Sequence, residues 1–195
     1  MSAPGLGILS DREIRAAYDS HELGIDPFDP ELLRPAALSL RLGFEASVLR
    51  SDTEVDVADA TTYPTLVTRD PDGEGRLRLD PGEVMLAPTL ERISLPTGIA
   101  GLVDGTSDYA RLGISVVLSH QVSPGYGSDI DGGAILTLEI VSHLSRAVFL
   151  RPGTRIGNLM LLRCSPVERP YPEMPANYSR DVLVRASRLA EHHVG

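Results

Sequence analysis

The chain has 195 residues with 27 acidic and 18 basic side chains, a formal net charge of −9, and neither lysine nor tryptophan. Without lysine there is no Walker-type phosphate-binding Lys, no Schiff-base Lys and no lysine general base, and an acidic chain lacks the cationic footprint that binding to nucleic acid requires. The length suits one domain, residues 1–195, with 42% hydrophobic residues to fill its core, and no apolar run approaches the roughly 20 residues of a membrane span.

Met1 to Leu9 lacks the basic start and long apolar stretch of a signal peptide, so the expectation is a cytoplasmic protein without a membrane partner. The 18 glycines and 15 prolines punctuate short apolar runs, a pattern that favours an all-β domain. One helix start is clear at Ser10-Asp11-Arg12-Glu13, where Ser10 and Glu13 can form a capping box. Ile14, Ala17 and Tyr18 give that helix an apolar side, and it should end before Pro27 and Pro30.

From Leu38 to Val48 the chain alternates, with Leu38, Leu40, Leu42, Phe44, Ala46 and Val48 on one face, which predicts a single half-buried strand. Val55 and Val57 predict another short strand, and Pro71-Asp72-Gly73-Glu74-Gly75 a turn into a Leu77/Leu79 strand. Further breaks fall at Asp80-Pro81-Gly82, Pro88, Pro96-Thr97-Gly98 and Arg151-Pro152-Gly153, a spacing that suits a barrel or jelly roll. After Pro166 the chain turns through Pro170-Tyr171-Pro172 and Pro175 and then predicts a short helix around Val182 to Glu191.

The histidines at 21, 120, 143, 192 and 193 show neither the helical spacing of a zinc protease nor the signature of a zinc deaminase, and His192-His193 reads as a solvated tail. Cys164, the single cysteine, reads as a buried inert thiol in an apolar run. Asp129 and Asp131 in the loop Gly127–Gly133 are spaced like part of a calcium loop that lacks its later bidentate Glu. In the strand Ala134–Val141, Leu136, Leu138 and Ile140 share one face and Glu139 emerges on the other beside Thr137 and Val141. A carboxylate between apolar neighbours can have the raised proton affinity that suits a general base; the alternative is an ordinary solvent-facing Glu.

Several segments then occur in a fixed order: Leu9-Ser10-Asp11-Arg12-Glu13-Ile14, Leu40-Arg41-Leu42-Gly43, Leu79-Asp80-Pro81-Gly82-Glu83, Thr89 to Pro96, Asp104 to Gly113, Leu150 to Gly157 and Arg169-Pro170-Tyr171. Together they closely resemble the dCTP deaminase branch of the dUTPase-like superfamily. The resemblance implies an all-β fold, a distorted β-barrel or jelly roll with a short N-terminal helix and a C-terminal helical tail, residues 166–195, closing over the active site. It also implies a homotrimer with sites between subunits, acting on a small-molecule nucleotide. In that family deamination needs no zinc, and a Glu in the strand matching this one activates water for attack on C4 of cytosine; here it is Glu139. The family's Ser and second Arg beside the base and phosphates map to Ser107 and Arg111. Ser119 and His120 fall where the base and the attacking water are held, with His120 either an acid/base or a hydrogen-bonded structural residue. Val122, Ser123, Tyr126, Tyr171, Tyr178 and Arg180 complete the implied substrate-binding set.

The chain departs from the family pattern at the phosphate end. A phosphate-binding Arg becomes Thr106, a Ser becomes Asp108, and the tail Lys becomes Asn177, with Arg180 nearby as a replacement charge. The Asp beside the sugar, which dUTPases use to activate water, is Ser123, and the loop before Glu139 is longer than usual. The expected activity is deamination of a cytosine nucleotide without a directly bound metal, Mg2+ entering only with the phosphates and Asp108. The alternatives are a catalytically silent nucleotide-binding homologue and a magnesium-dependent diphosphatase using Asp108, Asp129 or Asp131.

Overall fold

The computed structural model describes residues 5–175 and 177–193, and the tail residues Val194 and Gly195 lie outside that range. β1 (Gly7–Ile8) leads into α1 (Asp11–Asp19), followed by β2 (Gly24–Asp26), β3 (Leu33–Arg34), β4 (Ala37–Arg41), β5 (Ser47–Arg50) and β6 (Thr65–Thr68). Next come β7 (Leu77–Leu79), the long β8 (Val84–Ser94), β9 (Ile99–Gly105), α2 (Ser107–Arg111), β10 (Ile114–Ser115) and β11 (Gln121–Val122). β12 (Ala134–Ser142), β13 (Val148–Leu150) and β14 (Arg155–Arg163) complete the body. One sheet runs β11-β9-β14-β4-β3 with β1 added on β14, and the second runs β10-β12-β8-β5-β6 with β2 added on β8. β13 and β7 form a separate antiparallel pair. The apolar faces of the two sheets share one core, with Leu38, Leu40, Leu159 and Leu161 from one and Met85, Ile93, Leu138 and Ile140 from the other. The sheets do not close into a barrel, but the class is all-β as the turn spacing predicts.

α1 begins with the expected capping box: Glu13 N–H donates to the Ser10 hydroxyl at 3.4 Å and Ser10 N–H to the Glu13 carboxylate at 2.9 Å. This satisfies amides that the first helical turn leaves without partners, and Ile14 and Ala17 are buried.

The strand expected from Leu38 to Val48 is two strands, because Gly43 passes hard against Pro88. A Cβ at Gly43 would stand 2.8 Å from the Pro88 ring and 2.9 Å from its carbonyl oxygen. Gly43 N–H instead donates to that oxygen at 2.8 Å. The chain thereby leaves the first sheet as β4 and enters the second as β5, which turns Phe44 outward to 62% exposure. No strand forms at Val55 and Val57, which are exposed, because the neighbouring carboxylates favour turns: Ala58 N–H donates to Asp56 Oδ1 and Thr61 N–H to Asp59 Oδ1. Cys164 is only partly buried.

Glu91 is fully buried where β8 passes β4. Its carboxylate accepts from Arg41 N–H at 2.9 Å and from Arg41 Nε at 2.7 Å. A charge taken out of water needs such compensation.

The helical tail expected around Val182 to Glu191 is instead an extended strap with short 3-10 turns at Tyr171–Glu173 and Leu189–His193. Its side chains compete for the backbone. Asn177 donates to Pro172 O and Met174 O, and its oxygen accepts from the N–H and hydroxyl of Ser179. The strap docks through Val167 N–H to Thr97 O, Tyr171 N–H to Pro124 O, and Ile135 N–H to Asp181 O. Gly125, at φ +88°, makes room for it, since a Cβ there would meet Pro170 at 2.8 Å. Asp181 is buried and pairs with Arg188 at 3.2 Å. That burial holds its carboxyl above the usual range, against the pull of the Arg188 and Arg185 guanidiniums.

Two outcomes follow from these buried charges. Arg41→Met leaves the Glu91 carboxylate buried without its partner and should cost about 3–5 kcal/mol in urea unfolding, whereas a loss near zero would remove Glu91–Arg41 from the core. Asp181 keeps its proton to higher pH in the docked strap than in the free one, so docking is strongest at low pH and weakens as pH rises through the carboxylate range. The exchange protection of the Ile135 amide should fall over that rise in the native chain and stay level in Asp181→Asn. An identical slope in both would assign the effect elsewhere.

Candidate active site

β12 is buried on its Leu136, Leu138 and Ile140 face and half-exposed at Thr137, Glu139 and Val141, as alternation predicts. Pairing with β8 sets Glu139 opposite Leu86. The segment between β10 and β11 is pinned by buried Val116 and Val117 and turns its backbone toward this carboxylate. Leu118 N–H and Ser119 N–H donate to Glu139 Oε2 at 3.1 and 3.3 Å. Two main-chain donors on one oxygen fix the carboxylate as a charge-assisted clamp, while Oε1 carries no hydrogen bond from the described residues.

Glu139 stands in the wall of a cavity of about 450 Å3. Leu49, Pro64, Leu86, Val103, Val117, Leu136 and Leu138 make most of that wall apolar. The strap supplies another side through Tyr171, Tyr178, Arg185, Ala186 and Ser187. Tyr126 stacks on Tyr171 with ring centroids 5.8 Å apart and donates its hydroxyl to Ile135 O. Burial pushes both phenols up from their ordinary range, so they stay protonated and act as apolar surfaces with a hydroxyl edge. The arrangement can hold a flat ring against aromatic and aliphatic surface with one fixed carboxylate at its edge.

The expected site residues divide into two groups. Glu139, Ser119, Val122, Ser123, Tyr126, Tyr171 and Tyr178 line the cavity, whereas Thr106, Ser107, Asp108, Arg111, His120 and Arg180 do not. Ser107, Asp108 and Arg111 are exposed on α2, and Thr106 precedes it without a side-chain cap bond. His120 Nδ1 lies 2.8 Å from Val103 O, which favours its structural role. Arg180 is mostly exposed and pairs with Asp129, away from the cavity. Asn177 is occupied inside the strap. Among the described residues no three His, Cys, Asp or Glu side chains come together as a metal site, and no helix is long and apolar enough to cross a membrane. Gln121, Arg185 and Ser187 line the cavity without having been expected. Gln121 sits between the expected Ser119/His120 and Val122/Ser123, whereas the strap residues carry no periodic signal.

The family model described as dCTP deaminase-like matches residues 8–164. The "dCTP deaminase, dUMP-forming" of Thermobifida fusca (strain YX) is 35% identical over 170 residues, covering 84% of this chain and 82% of that protein. The protein of the same name from Mycobacterium tuberculosis (strain ATCC 25177 / H37Ra) is 37% identical over 171 residues, covering 84% and 85%. A crystal structure of 2'-deoxycytidine 5'-triphosphate deaminase from Agrobacterium tumefaciens superposes with a TM-score of 0.60 at 24% identity, over 82% of this chain. This chain spans 49% of that longer one, and the likeness speaks to the fold. With its motifs in order and the family model covering most of its length, the chain belongs to the dCTP deaminase-like family of enzymes.

Proposed function

We propose that this chain deaminates a cytosine nucleotide hydrolytically, with Glu139 activating the water. The observation that carries the reading is the clamped carboxylate: Oε2 is held by two backbone N–H groups and Oε1 is left for a water in a mostly apolar cavity. As the water oxygen bonds to C4, its proton passes to Glu139 and from there to N3. The C4 hydroxyl then gives its remaining proton to Glu139 Oε1, which passes it to the exocyclic amine; C4 becomes a carbonyl as the C4–N bond breaks, and ammonia and the uracil nucleotide leave. The Leu118 and Ser119 backbone fixes the carboxylate, and Tyr126, Tyr171 and Tyr178 present surface to the base and sugar.

Ser107 and Arg111 enter this reading from a neighbouring subunit of a homotrimer, as the resemblance implies. Their exposure on α2, together with Leu112 and Leu118 at 62% and 60% exposure, supports an interface there. Magnesium belongs to the reading only as a companion of the phosphates near Asp108, and the whole chain works as one domain in a cytoplasmic nucleotide pool, its strap closing the cavity.

The names of the relatives favour a second reading, in which dCTP loses its amine and two phosphates together. Ser123 argues against it, because this wall of the cavity offers a hydroxyl where a water-activating carboxylate would be needed, and Asp129 is engaged by Arg180.

Incubation with deoxycytidine and its mono-, di- and triphosphates, with and without magnesium, should show the cytosine-to-uracil absorbance change. Glu139→Gln should lower it at least about a hundredfold with an unaltered unfolding midpoint; nucleotide binding without product in the native chain would establish the silent reading. Chromatography of the products from dCTP should find dUTP, and dUMP would establish the coupled reaction instead. Light scattering should give three times the 21.0 kDa chain mass, and a monomer with full activity would remove the shared site.

A further inference from the structure

The strap carries three described arginines in its second half, and they differ in what holds them. Arg180 is engaged by Asp129 outside the cavity. Arg188 is engaged by Asp181 and the Asn177 carbonyl and lies over the Tyr178 ring at 4.9 Å. Arg185 lines the cavity and makes no hydrogen bond or ion pair among the described residues, neither with Asp181 nor with Glu139. It is the one cationic side chain among the residues that line this cavity. A guanidinium in a mostly apolar wall, hydrogen-bonded to no carboxylate because nearby Asp181 is paired with Arg188, is a fork of donors suited to an anion. Ser187 stands two positions on in the same wall with a hydroxyl.

The tail position where the resemblance places a lysine cannot do this work. The Asn177 amide donates to Pro172 O and Met174 O and its oxygen accepts twice from Ser179, so turning it to a ligand would dissolve the turn that shapes the strap.

We propose that Arg185 binds the phosphate of the nucleotide, so that the strap's phosphate contact lies at position 185 and not at 177. The inference rests on the reading of the cavity as a nucleotide site. It gives the cavity a polarity: a fixed carboxylate for the base and a free guanidinium for the anionic end.

Calorimetry in a Glu139→Gln background, where no turnover intrudes, tests it with deoxycytidine, dCMP and dCTP. Arg185→Met should weaken dCTP binding about tenfold or more, reduce its salt dependence and leave deoxycytidine unchanged. Arg185→Lys should restore part of the loss, because the charge returns without the planar fork. Arg146→Met, on an exposed loop away from the cavity, should match the parent. Equal weakening of deoxycytidine and dCTP would show that Arg185 only shapes the strap, and no weakening of either would show that it touches no phosphate; both overturn the proposal. Absence of deamination by the native chain overturns the proposed function alone, since calorimetry still reads Arg185, whereas a parent that binds no nucleotide overturns both.

Discussion

A proline has no backbone N–H, and Pro88 stands in the middle of the longest strand. The ladder between β8 and β12 therefore has to break there. It pairs Ile135 with Arg92 and next Thr137 with Pro88, so that Thr89, Leu90 and Glu91 face the single residue Leu136. The Thr89 hydroxyl repairs the gap, donating to Glu91 O at 2.6 Å and accepting from Leu136 N–H at 3.0 Å. The Pro88 carbonyl, freed from the ladder, takes the N–H of Gly43. At this corner the chain of β4 and β5 crosses between the sheets, and Leu42 bridges to Thr89. The Glu91 carboxylate is buried at the same point and binds Arg41 of the other sheet. The two-sheet architecture thus hangs on one strand that cannot continue its own pairing.

Beyond the corner β12 runs in regular register with β8 as far as Val141, and this regularity gives the site its geometry. Side chains on one face sink into the core while Glu139 stands on the other, held from a second direction by the backbone of Leu118 and Ser119. A carboxylate fixed by core packing below and amide donors above needs no rearrangement when charge develops beside it. The apolar cavity wall lowers the local dielectric and makes those donors count for more than they would in water.

The parts of the molecule legible in the sequence are those set by residues near one another. The capping box needs only Ser10 and Glu13, and the face of Glu139 needs only a period of two. The break at Gly43 was not legible because its cause, Pro88, lies opposite in space. The extended strap, where a short helix was expected, was not legible because the Asn177, Ser179 and Asp181 hydrogen bonds that hold it form only with the chain already folded back on itself and on Ile135. The clamp on Glu139 leaves no trace at all, since main-chain N–H groups are common to almost every residue type. Ser107 and Arg111 were identified by resemblance, and within one chain they stay outside the cavity wall.

That last division has a physical meaning. The end of the cavity that would do the chemistry is built from a strand side chain and backbone donors, which substitutions at Leu118 or Ser119 cannot remove unless they introduce proline. The phosphate end, on the proposed reading, draws on side chains of the strap and, from a neighbouring subunit, of α2, elements that pack on the core through Tyr171 and Tyr109. Asp108 and Asn177, which depart from the family pattern, lie on those two elements, and Thr106 stands at the start of α2. An acidic protein without lysine can therefore keep the clamped carboxylate intact while the charge that meets a phosphate shifts along the strap, because the strap is held by its own internal bonds and by a few main-chain contacts at Thr97, Pro124 and Ile135. On the proposed reading, chemistry and substrate preference are carried by parts of the structure that can vary separately.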